Sequence, residues 1–144
     1  MANEAVLDVE YSVPVPFTIG NAAAVEKGAT LRLLDPMTLS GSGFAAGGND
    51  VFGGIASVEK IANDGVTSLG VYRDGRFKVK LSGSCTAGDA LTLGDSVDVN
   101  YFKKATNTLA GLSGANVAAI ALETGTTDQT IFVEIRPIRI GTAA

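Results

Sequence analysis

The chain of 144 residues is 46% apolar with a formal charge of −4. That is enough apolar mass for one domain with a true core, burying roughly 70% of its unfolded surface, and the acidity counts against nucleic acid as a partner, since phosphate binding needs a clustered basic footprint. There is no histidine, no tryptophan and a single cysteine, Cys85, which excludes a disulfide within the chain and a thiol-rich metal site and removes the usual general base near neutral pH.

Residues 1–20 are expected to form an extended N-terminal arm. Every odd position from 5 to 17 is apolar (Ala5, Leu7, Val9, Tyr11, Val13, Val15, Phe17), and most even ones are Asp8, Glu10, Ser12, Pro14 and Pro16. Period two over this length is a strand pattern that would reach ~40 Å fully extended. The two prolines cannot donate to a ladder, so the far half must lie on an edge or run free of a sheet. Two readings stay open: the first edge strand of this domain, or an arm that adds a strand to a neighbouring subunit. No basic region precedes an apolar run here, and no apolar stretch approaches the ~20 residues that span a bilayer. The expectation is a protein made in the cytoplasm and soluble there, unless it leaves as part of something larger.

A single β-domain is expected over residues 21–140, with a flexible tail at 141–144. Val25 to Leu34 reads as a turn on Gly28 followed by a short strand that Asp35-Pro36 ends. Residues 40–49, SGSGFAAGGN, form a Gly/Ser-rich loop with Phe44 in its middle, either an anchor for a partner or a ring folded back on the core. From Val51 to Leu81 the Asp64-Gly65 and Asp74-Gly75 pairs punctuate three apolar runs, which predicts a three-stranded antiparallel meander. In its last run Phe77, Val79 and Leu81 point one way, and Arg76, Lys78 and Lys80 the other.

After this the pattern restarts. Cys85 to Leu93 repeats Val25 to Leu33, with Gly88 at the place of Gly28; Ala118-Ala119-Ile120-Ala121 echoes Gly53-Gly54-Ile55-Ala56; and Val133-Glu134-Ile135 echoes Val79-Lys80-Leu81. Three matches in one order imply two degenerate β-repeats, about 25–81 and 85–136, the second shortened near the position of Asp64. Between them Val97 to Lys103 alternates, and 106–113 reads as a turn and connection. Asn116 to Glu123 is rich in alanine, which favours helix, but its shortness, its flanking glycines and the repeat decide for strand. Thr130 to Arg136 is the last strand. The fold class is therefore all-β, a small barrel or sandwich.

No catalytic, cofactor or metal residues emerge. Asp50, Asp64, Asp74, Asp89, Asp95, Asp98 and Asp128 mostly sit at Gly or Asn turns, where aspartate belongs for backbone reasons. No carboxylate pair can be singled out for glycoside hydrolysis, and no loop has EF-hand spacing. Gly41-Ser42-Gly43 lacks the lysine and helix of a phosphate loop. Cys85 reads as a small buried core residue. Arg73, Arg76, Lys78 and Lys80 make the one basic concentration, whose repulsion water or an acidic partner would relieve.

The Lys-Gly-x-x-Leu-x-Leu turn and strand at 27–33, Phe52-Gly53-Gly54-Ile55-Ala56, the strand Phe77 to Leu81, Thr86 to Leu91, Ala118 to Glu123 and Val133-Glu134-Ile135 together resemble the small capsid decoration (cement) proteins of tailed phages. The likeness spans about Val25 to Arg136; the arm before Gly20 and the loop at 40–49 depart from it. The resemblance implies a non-enzymatic β-domain on the outer capsid surface of a virion, synthesised in the host cytoplasm. It further implies a homotrimer that clamps neighbouring major capsid proteins, with no cofactor, small-molecule substrate, nucleic acid or membrane partner. The contact candidates are then Leu7, Val9, Tyr11, Val13, Val15, Phe17 and Phe44. The alternative is a carbohydrate- or surface-binding β-module of a phage fibre or adhesin, which usually presents Trp or Tyr platforms; this chain offers only Tyr11, Tyr72 and Tyr101.

Overall fold

The computed structural model describes residues 3–40, 51–93, 100–105 and 116–139. Phe44, the loop around it and the tail after residue 139 lie outside them. Eleven strands alternate with turns: β1 (Val6–Val9), β2 (Val15–Ile19), β3 (Thr30–Leu34), β4 (Thr38–Ser40), β5 (Val51–Ala56), β6 (Ser68–Tyr72), β7 (Gly75–Leu81), β8 (Ala90–Leu93), β9 (Tyr101–Lys104), β10 (Asn116–Ala121) and β11 (Thr130–Arg139). The described residues contain no helix, so the all-β expectation holds. β10 is a strand despite its alanines: Ala118 on one face and Ala119 and Ala121 on the other are all buried, so both faces are covered.

Each repeat closes as a barrel of its own. In barrel 1, β2 runs parallel to β4, β3 pairs antiparallel with β4 and β5, and β6 pairs antiparallel with β5 and β2. Barrel 2 has the same scheme with β7, β8, β9, β10 and β11 in the places of β2 to β6. Closure gives every strand of each ring a neighbour on both sides over at least part of its length. Period-two alternation then fills each interior: Ile19, Leu31, Leu39, Leu69 and Val71 in barrel 1, and Phe77, Leu81, Leu91, Phe102, Ile131 and Val133 in barrel 2. Each large side chain so buried contributes about 1.5–3 kcal/mol.

The pairing moves the repeat boundaries expected above. The units begin at β2 and β7 rather than at 25 and 85, so Val79-Lys80-Leu81 corresponds to Phe17-Thr18-Ile19, and Val133 to Val71. The echo between Val79–Leu81 and Val133–Ile135 is therefore not a repeat match. Those segments belong to the two neighbouring strands β7 and β11, which look alike because both alternate Val with charge. The other two echoes coincide with the barrels' equivalent strands, and the connection at 122–129 is shorter than its counterpart at 57–67. The meander is also broken. β5 and β6 pair, but β6 closes barrel 1 on β2 while β7 opens barrel 2. At Asp74-Gly75 the chain crosses between barrels instead of turning back, and Gly75 is required by crowding: at φ +122° a Cβ would stand 3.1 Å from the Phe77 ring and 3.2 Å from the Val9 carbonyl.

The barrels share a buried seam. Phe52 and Ile55 leave barrel 1 and join the core cluster of barrel 2, the Tyr72 ring meets Phe77 edge-on at 5.6 Å, and the Thr30 N–H and hydroxyl both donate to Asn100 Oδ1 at 3.0 Å. β1 straps the pair, since it precedes barrel 1 in sequence yet lies antiparallel on β7 of barrel 2. The Ala5 N–H donates to the Gly28 carbonyl, where a Cβ on Gly28 would come within 2.4 Å of the Ala5 oxygen.

Candidate interaction surface

Between β1 and β2 the segment keeps its alternation but inverts its sense. The polar residues face the protein: Arg76 Nε donates to Asp8 Oδ2 at 2.6 Å, Ser12 Oγ donates to Asp74 Oδ1 at 2.7 Å, and Glu10 stands against the Tyr72 hydroxyl, which burial and then this carboxylate raise above its usual pKa. The apolar residues are left outside. Val6, Val13 and Val15 are 60%, 75% and 43% exposed, Leu7 and Val9 are at least a third exposed, and Tyr11 is half exposed with its hydroxyl donating to Glu134. Ion pairs this exposed contribute about 0–1 kcal/mol each, so the polar contacts orient the segment more than they hold it. The product is a strip of exposed apolar side chains along residues 6–15. Exposed apolar residues concentrated in one segment point to a contact site more than singly scattered ones do.

Of the sequence-predicted contact residues, the structure gathers Leu7, Val9, Tyr11, Val13 and Val15 on this strip. Phe17 departs from it: half buried, it packs on the core of barrel 1 under the Arg73 guanidinium, 5.6 Å above its ring. Pro16 lies in β2 opposite Gly70, at a level that β4, which joins at Thr18, does not reach. One side of β2 is an edge there, as its missing N–H requires.

The four basic residues divide. Arg73 belongs to barrel 1 and donates to the Phe52 and Gly53 carbonyls at 3.2 and 2.9 Å. Arg76 and Lys78 lie over the Phe132 ring and Lys80 over Tyr101, at 6.0, 5.1 and 5.6 Å, so the outer face of β7 carries cations resting on aromatic rings.

Chemistry-bearing groups do not converge among the described residues. Among the described residues no cluster of three or more His, Cys, Asp or Glu could hold a metal, and no helix is long and apolar enough to cross a membrane. Cys85 is buried, and desolvation raises its thiol pKa, which disfavours the nucleophilic thiolate. It occupies the place of Val25, and both sit in an isolated bridge at the barrel end, Val25 with Lys60 and Cys85 with Gly125.

Lys60 is the residue that sequence reasoning passed over. It is 3% exposed, and its ammonium donates to the carbonyls of Asn21, Ala23 and Ile61 and to Asp64 Oδ1, at 2.8 to 3.2 Å. A lysine four residues before an Asp-Gly turn carries no mark of burial in one dimension. Its role here is to tie the 57–67 connection to the turn after β2. One groove of about 650 Å³ opens on barrel 2, lined by Ile120, Leu122, Glu134, Arg136 and Pro137.

No family model and no curated protein matches the chain. Among solved structures it is similar to the head fiber gp8.5 N base of bacteriophage phi29, with a TM-score of 0.50 at 20% identity, covering 84% of this chain and 92% of that one. At that identity the likeness speaks for the fold.

Proposed function

We propose that this chain is a structural protein of a bacteriophage particle. In this reading it attaches to the outside of the head through the apolar strip of residues 6–15 and stabilises the head by bridging neighbouring major capsid proteins as a homotrimer. The observation that carries the reading is the strip itself, six exposed apolar side chains along residues 6–15 of a segment that its polar side chains orient, on a fold shared with a protein of a phage head. The mechanism is linkage: a protein that binds one state of a shell preferentially shifts the shell toward that state, and three copies of one patch combine through effective concentration.

The test adds purified protein to heads that lack it and reads occupancy by electron microscopy and head survival on heating. Deleting residues 1–18 is unsuitable, because β2 is needed to close barrel 1. Val13→Asp with Val15→Asp leaves the ring intact and is expected to empty the heads. Undiminished occupancy by this variant would overturn the strip as the contact.

A second reading is favoured by the similarity to a head fiber base: the chain serves as the base of a head fibre, anchoring an appendage without cementing the shell. Heads that carry the protein but gain no resistance to heat would favour this over cementing. Glycan binding is less well supported, since Tyr11 and Tyr72 engage Glu134 and Phe77 while Lys80 lies over Tyr101. A glycan array reads that outcome directly.

A further inference from the structure

The seam between the barrels is an asymmetric contact between two equivalent units. Barrel 1 contributes the outer face of its β3, β5 and β6, through Thr30, Ile55 and Tyr72; barrel 2 contributes its end, through Phe77 and Asn100. Because the barrels share one pairing scheme, each side of the seam has a counterpart elsewhere. Ile55 corresponds to Ile120 and Tyr72 to Glu134, since Thr30 pairs with Ile55 as Ala90 pairs with Ile120, and Val71 and Val133 hold matching registers. The face by which barrel 1 grips barrel 2 is therefore, on barrel 2, the wall of the 650 Å³ groove at Ile120 and Leu122. In the same way Phe77 corresponds to Val15 and Asn100 to Met37. Asn100 and Met37 even share a left-handed backbone, at φ +67° and +45°.

Both counterparts carry exposed apolar side chains, the groove among Glu134 and Arg136, which pair with each other. Ile55 is fully buried at the seam, whereas Ile120 is half buried and Leu122 is 41% exposed; Val15, Leu34 and Met37 are 43%, 41% and 63% exposed at the end of barrel 1. We propose that these two faces bind one another between copies of the chain, so that the groove of barrel 2 seats the Met37 end of barrel 1 of the next copy. The occupant is a second copy because the internal seam already shows one barrel of this kind seated on the end of another. The polar Thr30–Asn100 contact becomes an apolar one between Ala90 and Met37. The Tyr72–Phe77 ring pair has no counterpart, since Glu134 would face Val15, which makes the contact between copies weaker than the seam. A contact of this kind joins different surfaces on the two partners, so it either closes into a ring or runs on as a fibre. It follows from the duplication and not from the virion reading, and its test involves no phage particle.

Leu122→Asp and Met37→Asp alter exposed side chains and leave both barrels folded, as circular dichroism would confirm. In sedimentation of the full chain, the wild type is expected to form concentration-dependent oligomers up to about 100 µM, the range of weak interfaces. Each variant alone should sediment as a monomer. An equimolar mixture of the two retains one intact groove and one intact end, so it should give a dimer and nothing larger. A monomeric wild type, single variants that keep the wild-type mass, or a mixture that stays monomeric would each overturn the proposal. Larger oligomers in the mixture would overturn it too, by showing that the contact lies elsewhere.

Discussion

Barrels 1 and 2 share a pairing scheme but are stabilised differently. Barrel 2 is filled by bulk: Phe77 and Phe102 are essentially inaccessible, and its cluster also takes in Phe52 and Ile55 from its neighbour. Barrel 1 is filled by aliphatic side chains and alanine, and where barrel 2 has Gly125 at the bridge, barrel 1 has a buried lysine whose ammonium meets three carbonyls and a carboxylate. One scheme thus tolerates two ways of closing a barrel end, apolar packing in one and a satisfied cation in the other. At the Gly125 position a Cβ would approach Ile131 Cγ2 within 2.7 Å and Leu81 Cδ1 within 2.9 Å, so the denser core of barrel 2 leaves no room for the lysine solution.

The comparison is tested most severely by taking bulk from each core. Phe102→Ala in barrel 2 should lower unfolding free energy by about 3–5 kcal/mol, the range for a fully buried aromatic whose surroundings relax only in part. Leu39→Ala, at the equivalent position of barrel 1, should lie lower, toward about 2–3 kcal/mol within the leucine range, because its site is smaller and borders half-buried residues. Urea midpoints with unchanged slopes would check both; equal losses would mean that the two cores are packed alike.

Next in size is Lys60→Met. It keeps most of the stem but strands three carbonyls, and a buried polar group left without its partner costs about 1–3 kcal/mol, so a net loss of ~2–4 kcal/mol is expected from denaturant unfolding. The companion change Gly125→Ala tests the other solution. It forces Ile131 or Leu81 to shift, and overpacking typically costs about 1–3 kcal/mol. If Lys60→Met were neutral, barrel 1 would be closed by packing after all.

Asn100→Gly tests the seam. Glycine accepts the φ of +67° but removes the oxygen that takes both Thr30 donors, for an expected loss of about 1–3 kcal/mol. A single unfolding transition splitting into two would show that this contact keeps the barrels cooperative.

Strand content, duplication and the barrel class were legible because alternation and the Gly28/Gly88 turns are local signals that survive in one dimension. The division into two closed rings was not. Closure depends on which strand pairs with which across dozens of residues, and Val79–Leu81 and Val133–Ile135 offer the same short alternation to either answer. Asp74-Gly75 misled for a related reason: the pair marks a change of direction, but a hairpin and a crossing between barrels demand the same permissive glycine. On the candidate surface, alternation located the strip but could not give its polarity. That an apolar row faces outward depends on Arg76, Tyr72 and Asp74, the partners of Asp8, Glu10 and Ser12, all more than sixty residues away in sequence.

The smallest expected effect separates the two carboxylates that bracket barrel 1. Asp64 is held below the ordinary aspartate range, first by the Val66 N–H and then by Lys60, so its contribution is present above the ordinary value and lost as pH falls through the depressed one. Glu4, two residues before β1, moves the other way, raised by burial and by sharing a hydrogen bond with the Glu26 carboxyl. Glu26 is lowered in the same contact, so the pair contributes where Glu4 is protonated and Glu26 ionised, and that contribution is lost as pH rises through the raised Glu4 value. Attachment of the strap should therefore weaken from acid toward neutral pH, while the Lys60 turn strengthens. The Ala5 amide, bonded to the Gly28 carbonyl at 2.9 Å, reports on this directly. Its hydrogen-exchange protection factor, corrected for intrinsic rate, should fall by about two- to fivefold over that range, a change typical of a weak surface contact. In Glu4→Gln, whose amide can donate to Glu26 at any pH, the factor should stay level, and a wild-type profile just as flat would show that the strap is held by β1–β7 pairing alone.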